Sequence, residues 1–133
     1  MIALLLAAAA ATPGADAAIG RWKTESKNAI VEIAPCAGSI CGKLVTSDGI
    51  KANPDLRDSQ NKDPALRTRK LAGMPILGGF VRGDGEWTGG TVYKADDGGT
   101  YKGTVTPIDA DHLRVKGCIV WPLCKSQTWT RVR

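Results

Sequence analysis

Beyond residue 18 the chain contains no helix-period stretch of useful length. It is made instead of short runs rich in Val, Ile, Thr, Tyr and Trp, cut at short intervals by residues that tolerate tight turns. Eight runs can be counted: Ile19 to Thr24, Ala29 to Pro35, Ile40 to Thr46, Leu71 to Arg82, Glu86 to Ala95, Thr100 to Thr106, His112 to Ile119 and Ser126 to Arg133. The segments Ser26-Lys27-Asn28, Ala37-Gly38-Ser39, Gly83-Asp84-Gly85, Asp96-Asp97-Gly98-Gly99 and Asp109-Ala110-Asp111 separate them and suit hairpin connections. Within the runs polarity alternates: Leu113 and Val115 oppose His112, Arg114 and Lys116, and Tyr101, Gly103 and Val105 oppose Lys102, Thr104 and Thr106. Strands with one buried face, joined in order by short turns, predict an all-β, eight-stranded antiparallel up-and-down barrel, with a sandwich as the runner-up. Gly89, Gly90 and Gly103 fall where barrel strands must bend.

One connection breaks the pattern. Residues 47 to 70, SDGIKANPDLRDSQNKDPALRTRK, form a long loop between strands three and four, longer than compact domains usually carry without a function. Asp63 followed by Pro64 suits the N-cap and first residue of a short helical turn through Ala65, Leu66 and Arg67.

The opening residues, MIALLLAAAAATPGADA, are an apolar run ending in Ala15-Asp16-Ala17, which fits the A-x-A pattern of a signal-peptide cleavage site. Residues 1 to 17 are therefore set aside as a signal peptide and residues 18 to 133 taken as one domain, periplasmic or secreted. Losing Asp16 leaves 18 basic side chains against 12 acidic, a balance that suits anionic partners. In an oxidising compartment Cys36, Cys41, Cys118 and Cys124 favour disulfides, with three pairings open at this point. A zinc site is disfavoured, because structural zinc cysteines usually come as C-x2-4-C and this chain pairs C-x4-C with the wider C-x5-C.

Five segments are similar to a family of small exported bacterial proteins known as domain of unknown function 2147. They are GRWKT, IVEIAPCAGSICGKLV, NPDLRDSQNKDPALRTRKLAG, GGTVYKADDGGTYKGTV and SQTWTRV, together covering nearly all of the chain after residue 17. The resemblance implies a lipocalin-like (calycin-like) barrel and brings no catalytic residues. Gly20-Arg21-Trp22 also resembles the G-x-W motif on the first strand of lipocalins, whose tryptophan packs across the closed base under an arginine of the last strand. Trp129, Arg131 and Arg133 share one face of the last run, so Arg131 is the expected cover for Trp22. If strand one rises from that base, Cys36 and Cys41 return to the base, whereas Cys118 and Cys124 lie at the mouth. Strands of ordinary length, roughly 17 to 20 Å, separate the ends by more than the ~7 Å Cα limit of a disulfide, so the resemblance favours Cys36 with Cys41 and Cys118 with Cys124.

The same orientation puts Arg57, Arg67, Arg69, Lys70, Lys94, Lys125 and Trp121 near the mouth, with Arg67, Arg69, Lys70, Trp121 and Lys125 the candidates for touching a ligand. No catalytic order is legible. His112, the single histidine, falls on a polar face; Asp55, Asp58, Asn61 and Asp63 lack calcium-loop spacing; no cofactor motif is present. The basic residues are dispersed and not interleaved with aromatics as in a nucleic-acid platform. The expected function is binding of a small apolar or amphipathic ligand, anionic ones included, in the barrel. An envelope-associated structural or protein-interaction role is the alternative, and an enzyme the third reading.

Overall fold

The computed structural model describes residues 14–120 and 122–133. Among them are nine strands: β1 (Gly20–Lys23), β2 (Ile30–Cys36), β3 (Ser39–Thr46), β4 (Pro75–Gly78), β5 (Val81–Arg82), β6 (Trp87–Lys94), β7 (Gly99–Pro107), β8 (His112–Val120) and β9 (Leu123–Val132). Every pairing is antiparallel, in the order β4-β3-β2-β1-β9-β8-β7-β6-β5. The pairing of β4 with β6 closes the ring, so eight strands make an up-and-down barrel and β5 is an extra strand on β6. Closure leaves few unpaired backbone groups, because the seam itself is hydrogen-bonded.

The extra strand comes from the run Leu71 to Arg82, expected as one strand. Gly79, with φ of 75°, turns the chain between β4 and β5. Phe80 is thereby directed into the core, where its ring occupies the space beside Gly90 that a larger residue there would need. The last strand, expected from Ser126, instead starts at Leu123, since the ladder with β8 continues through Cys118 opposite Cys124 to Val120 opposite Leu123. A short helix, α1 (Asp48–Ala52), was also not expected: five residues are too few to show a period, although Ser47 Oγ caps it by accepting from Ile50 N at 3.2 Å.

Alternation sorts the side chains. Trp22, Val31, Ile33, Ile40, Leu77, Phe80, Trp87, Val105, Leu113, Val115 and Trp129 are buried and pack as one cluster. The bore is therefore filled largely by the protein's own side chains, as small eight-stranded barrels allow. The two disulfides are Cys36–Cys41, at the β2–β3 hairpin, and Cys118–Cys124, at the β8–β9 hairpin. The up-and-down strand order puts these hairpins at opposite ends of the barrel.

The base is closed by a 3₁₀ turn, Ala15–Ala18, beneath two tryptophans. Trp22 Nε1 donates to Ala18 O and Trp87 Nε1 to Ala15 O, each at 2.8 Å. An arginine lies over each indole: Arg131 at 4.3 Å from the Trp22 ring centre, and Arg82 at 4.6 Å from that of Trp87. Arg131 also donates to Ala17 O, Ile19 O and Ala110 O, and Arg82 pairs with Asp16. Gly20, with φ of 137°, leaves room for Arg131 where a Cβ would meet its guanidinium.

The boundary expected after residue 17 falls within this turn, whose carbonyls accept from Trp22, Trp87 and Arg131. Residues 1–13 lie outside the described residues.

A candidate ligand cleft on the loop-covered barrel wall

The loop between β3 and β4 is folded on itself rather than extended. Arg57 bridges Lys70, Asp58 N donates to Arg69 O at 2.8 Å, and Leu71 N to Leu56 O at 3.0 Å. At its far end Asp63 Oδ1 caps a 3₁₀ turn, Pro64–Leu66, by accepting from Ala65 N at 3.0 Å. Proline at the first position needs no amide partner, so the turn starts where the Asp-Pro pair predicts.

What fixes this loop to the barrel is a buried carboxylate. The side chain of Asp58 is fully buried and accepts from Tyr93 Oη at 2.7 Å, Asn61 Nδ2 at 2.8 Å and Arg69 Nη2 at 3.3 Å. Tyr93 stands on β6. Burial, and then its hydrogen bond to Asp58, push the Tyr93 phenol well above the ordinary tyrosine range, so it remains a proton donor throughout the physiological range. The turn between β6 and β7 meets the loop from the other side. Gly98, with φ of 70°, sits so close to Gln60 that a Cβ would overlap its carbonyl. A second link joins neighbouring turns, as Lys27 Nζ and Ser26 Oγ both donate to Asp96, at 2.8 and 3.2 Å.

Between loop and wall lies an open cleft of about 630 Å³. Ile76 and Gly78 of β4, Thr91 and Tyr93 of β6 and Thr100 of β7 line it. Gly78 is opposite Thr91 and Tyr93 opposite Thr100, which places these residues on the outer face of the sheet, opposite that of Leu77, Gly90 and Val92. The loop contributes Leu66, Lys62, Asn61, Asp63 and Arg69. Aliphatic surface thus faces a few polar groups across the cleft. Arg69 Nε is buried and has no hydrogen-bond partner among the described residues.

The sequence candidates divide accordingly. Arg69 lines the cleft and holds Asp58. Arg67 and Arg57 are occupied in the loop itself, donating to Asn61 O at 2.8 Å and Thr68 O at 2.6 Å. Lys70 pairs with Asp55 at 3.1 Å on the surface. Lys125 is on β9, and the cleft is not lined by it. Trp121 lies outside the described residues. Lys62 and Tyr93 were not singled out in the sequence, although Tyr93 stands on a run of alternating residues that assigns it to the outer face. Asp58 and Asn61 do come together, but on Tyr93 and Arg69. Among the described residues no group of three or more His, Cys, Asp or Glu is placed to hold a metal ion. His112 is exposed, with Nδ1 2.8 Å from Asp109 Oδ1; the amide of Asp111, and then His112, hold the Asp109 carboxyl below the usual range.

A closed eight-stranded antiparallel barrel, plugged at one end by a short turn under a tryptophan and an arginine, defines a lipocalin-like protein. The chain belongs to the DUF2147 family, described as uncharacterized protein conserved in bacteria, which it matches over residues 20–131. A solved structure, described as protein HP1028 from the human pathogen Helicobacter pylori and as belonging to the lipocalin family, is similar in fold. Its TM-score is 0.76 at 24% sequence identity, over 86% of this chain and 82% of that one. None of the curated proteins matches.

Proposed function

We propose that the protein is an exported binder of a small amphipathic molecule, taken up in the cleft between the loop and the outer wall of β4, β6 and β7. The observation that carries this reading is the lining of the cleft, in which the part-exposed Arg69 guanidinium stands beside an aliphatic surface formed by Leu66 and Ile76. The apolar part of the ligand covers those side chains and its head-group oxygen accepts from Arg69. An acidic head group is favoured further by Lys62, which is exposed at the cleft and makes no ion pair among the described residues.

Two disulfides, and the apolar run at the start of the sequence, support an oxidising, extracytoplasmic compartment. No helix among the described residues is long and apolar enough to cross a membrane. Because Ala15, Ala17 and Ala18 supply acceptors at the base, we propose processing upstream of Gly14. The intact mass of the exported protein reads this directly, and a chain starting at Ala18 would refute it.

Calorimetric titration with a fatty acid and its neutral alcohol tests the ligand class. The acid should bind saturably and more tightly, and Lys62→Glu should remove most of that preference while leaving the alcohol's affinity near its original value. Added salt should act in the same direction, since exposed charges are screened beyond about 8 Å near physiological ionic strength. Absence of saturable binding by both compounds would contradict the proposal.

A further inference from the structure

The β8–β9 hairpin ends in a patch that the cleft does not use. Ile119, Val120 and Leu123 have 75%, 61% and 65% of their surface open to solvent. Single exposed aliphatic residues are ordinary, whereas three at one hairpin end form a feature. The Cys118–Cys124 disulfide ties the two strands together just below them, which restricts how far the tip can rearrange to cover its own apolar surface.

Near the tip the hairpin carries Lys116 and Lys125, and no acidic residue falls between His112 and Arg133. Lys102 of β7 joins Lys116, and together with Ile119 and Val120 they line a shallow cleft of about 250 Å³. Lys102, Lys116 and Lys125 make no ion pairs among the described residues.

We infer that this hairpin end docks on an anionic phospholipid surface, with Ile119, Val120 and Leu123 entering the boundary between head groups and acyl chains and Lys102 and Lys116 meeting lipid phosphates. Interfacial attachment combines buried apolar area with attraction of basic side chains to anionic lipid, and both parts are present side by side here. A protein partner fits less well: stable interfaces bury about 1,200 to 2,000 Å² in total, far more than three side chains at a hairpin end supply. The inference does not depend on the cleft reading. Docking would leave the protein's mouth end, on which the loop is built, facing the lipid.

Co-sedimentation of the mature protein with phosphatidylcholine vesicles, with and without phosphatidylglycerol and with no small ligand added, tests it. Binding should require phosphatidylglycerol and weaken with salt. Attraction of about fivefold per basic side chain implies a loss of at least about twentyfold for Lys102→Glu with Lys116→Glu. Ile119→Ser with Leu123→Ser, which retains both cysteines, should reduce binding by tenfold or more. Both variants should keep the fatty-acid affinity of the cleft, so failure of this inference and failure of the cleft proposal remain distinguishable. Equal binding to neutral and anionic vesicles, or unchanged binding by the tip variant, would overturn it. So would a tip variant that leaves vesicle binding intact but converts a dimer to a monomer in sedimentation velocity, because a second copy would then be the patch's occupant.

Discussion

Replacing Trp22 with alanine is expected to lower the unfolding free energy by about 3 to 5 kcal/mol, the usual cost of deleting a large aromatic side chain from a packed core. Trp22 is fully buried, and its ring supports the Arg131 guanidinium on one side and the 3₁₀ turn through Ala18 on the other. The loss therefore extends past the cavity itself: the arginine's hydrogen bonds to Ala17 and Ile19 depend on the same stack. Arg131→Ala should cost less, since its side chain is only part-buried, but it should act on the same element. In denaturant titrations with disulfides intact, the double variant should fall short of the sum of the singles, as expected for residues in contact. Unchanged midpoints in both single variants would show that the base is not closed by this pair.

At the other end of the barrel the largest effect is expected from Asp58. Asp58→Ala leaves the Tyr93 hydroxyl and the Asn61 amide without their acceptor and Arg69 without its counter-charge. Each buried donor so stranded costs about 1 to 3 kcal/mol. Tyr93 and Arg69 are partly exposed and can turn to water, so a loss of about 2 to 3 kcal/mol is expected for the whole substitution. It should be local: amides of the loop such as Asp58 N and Leu71 N should exchange faster, while those of β7 and β8 keep their protection. Tyr93→Phe removes one hydrogen bond and should cost about 1 kcal/mol. Unchanged exchange of the loop in Asp58→Ala would mean that the turn contacts around Gly98, and not the carboxylate, hold it down.

These two ends also mark what could be read from the residues alone. The antiparallel order and the faces of β7 and β8 follow from period-two alternation and short turns, both properties of neighbouring residues. The Trp22 and Arg131 stack was expected from the resemblance of Gly20-Arg21-Trp22 to the lipocalin motif and not from any local pattern. Its counterpart, Arg82 over Trp87, belongs to the kinked region near Phe80, where one glycine turns an apparently continuous run into two strands. The cleft was less legible because it depends on contacts between segments distant in sequence. Nothing local to Asp58 says that its acceptor oxygens will meet Tyr93, 35 residues away. Basic residues in the loop could be counted, but whether each meets solvent, ligand or a backbone carbonyl is decided by how the loop folds on itself, as Arg57 and Arg67 show.

The location of the cleft changes what lipocalin-like means for this chain. The expected ligand position was the bore, yet the bore is occupied by Trp22, Phe80, Trp87, Trp129 and their aliphatic neighbours. The proposed binding position is instead the outside of the wall, at the β4 and β6 seam beside the loop. The lipid docking inferred for the exposed end of the β8–β9 hairpin uses a different region, and the two can operate together.

Native mass spectrometry of the protein released gently from its own cell envelope tests the binding reading most directly. The cleft predicts a retained adduct of the size of an ordinary small ligand, lost from Asp58→Ala because the loop wall no longer holds, and retained by Ile119→Ser with Leu123→Ser. A bare polypeptide mass in the wild-type protein, or an adduct whose occupancy is indifferent to Asp58→Ala, would contradict it.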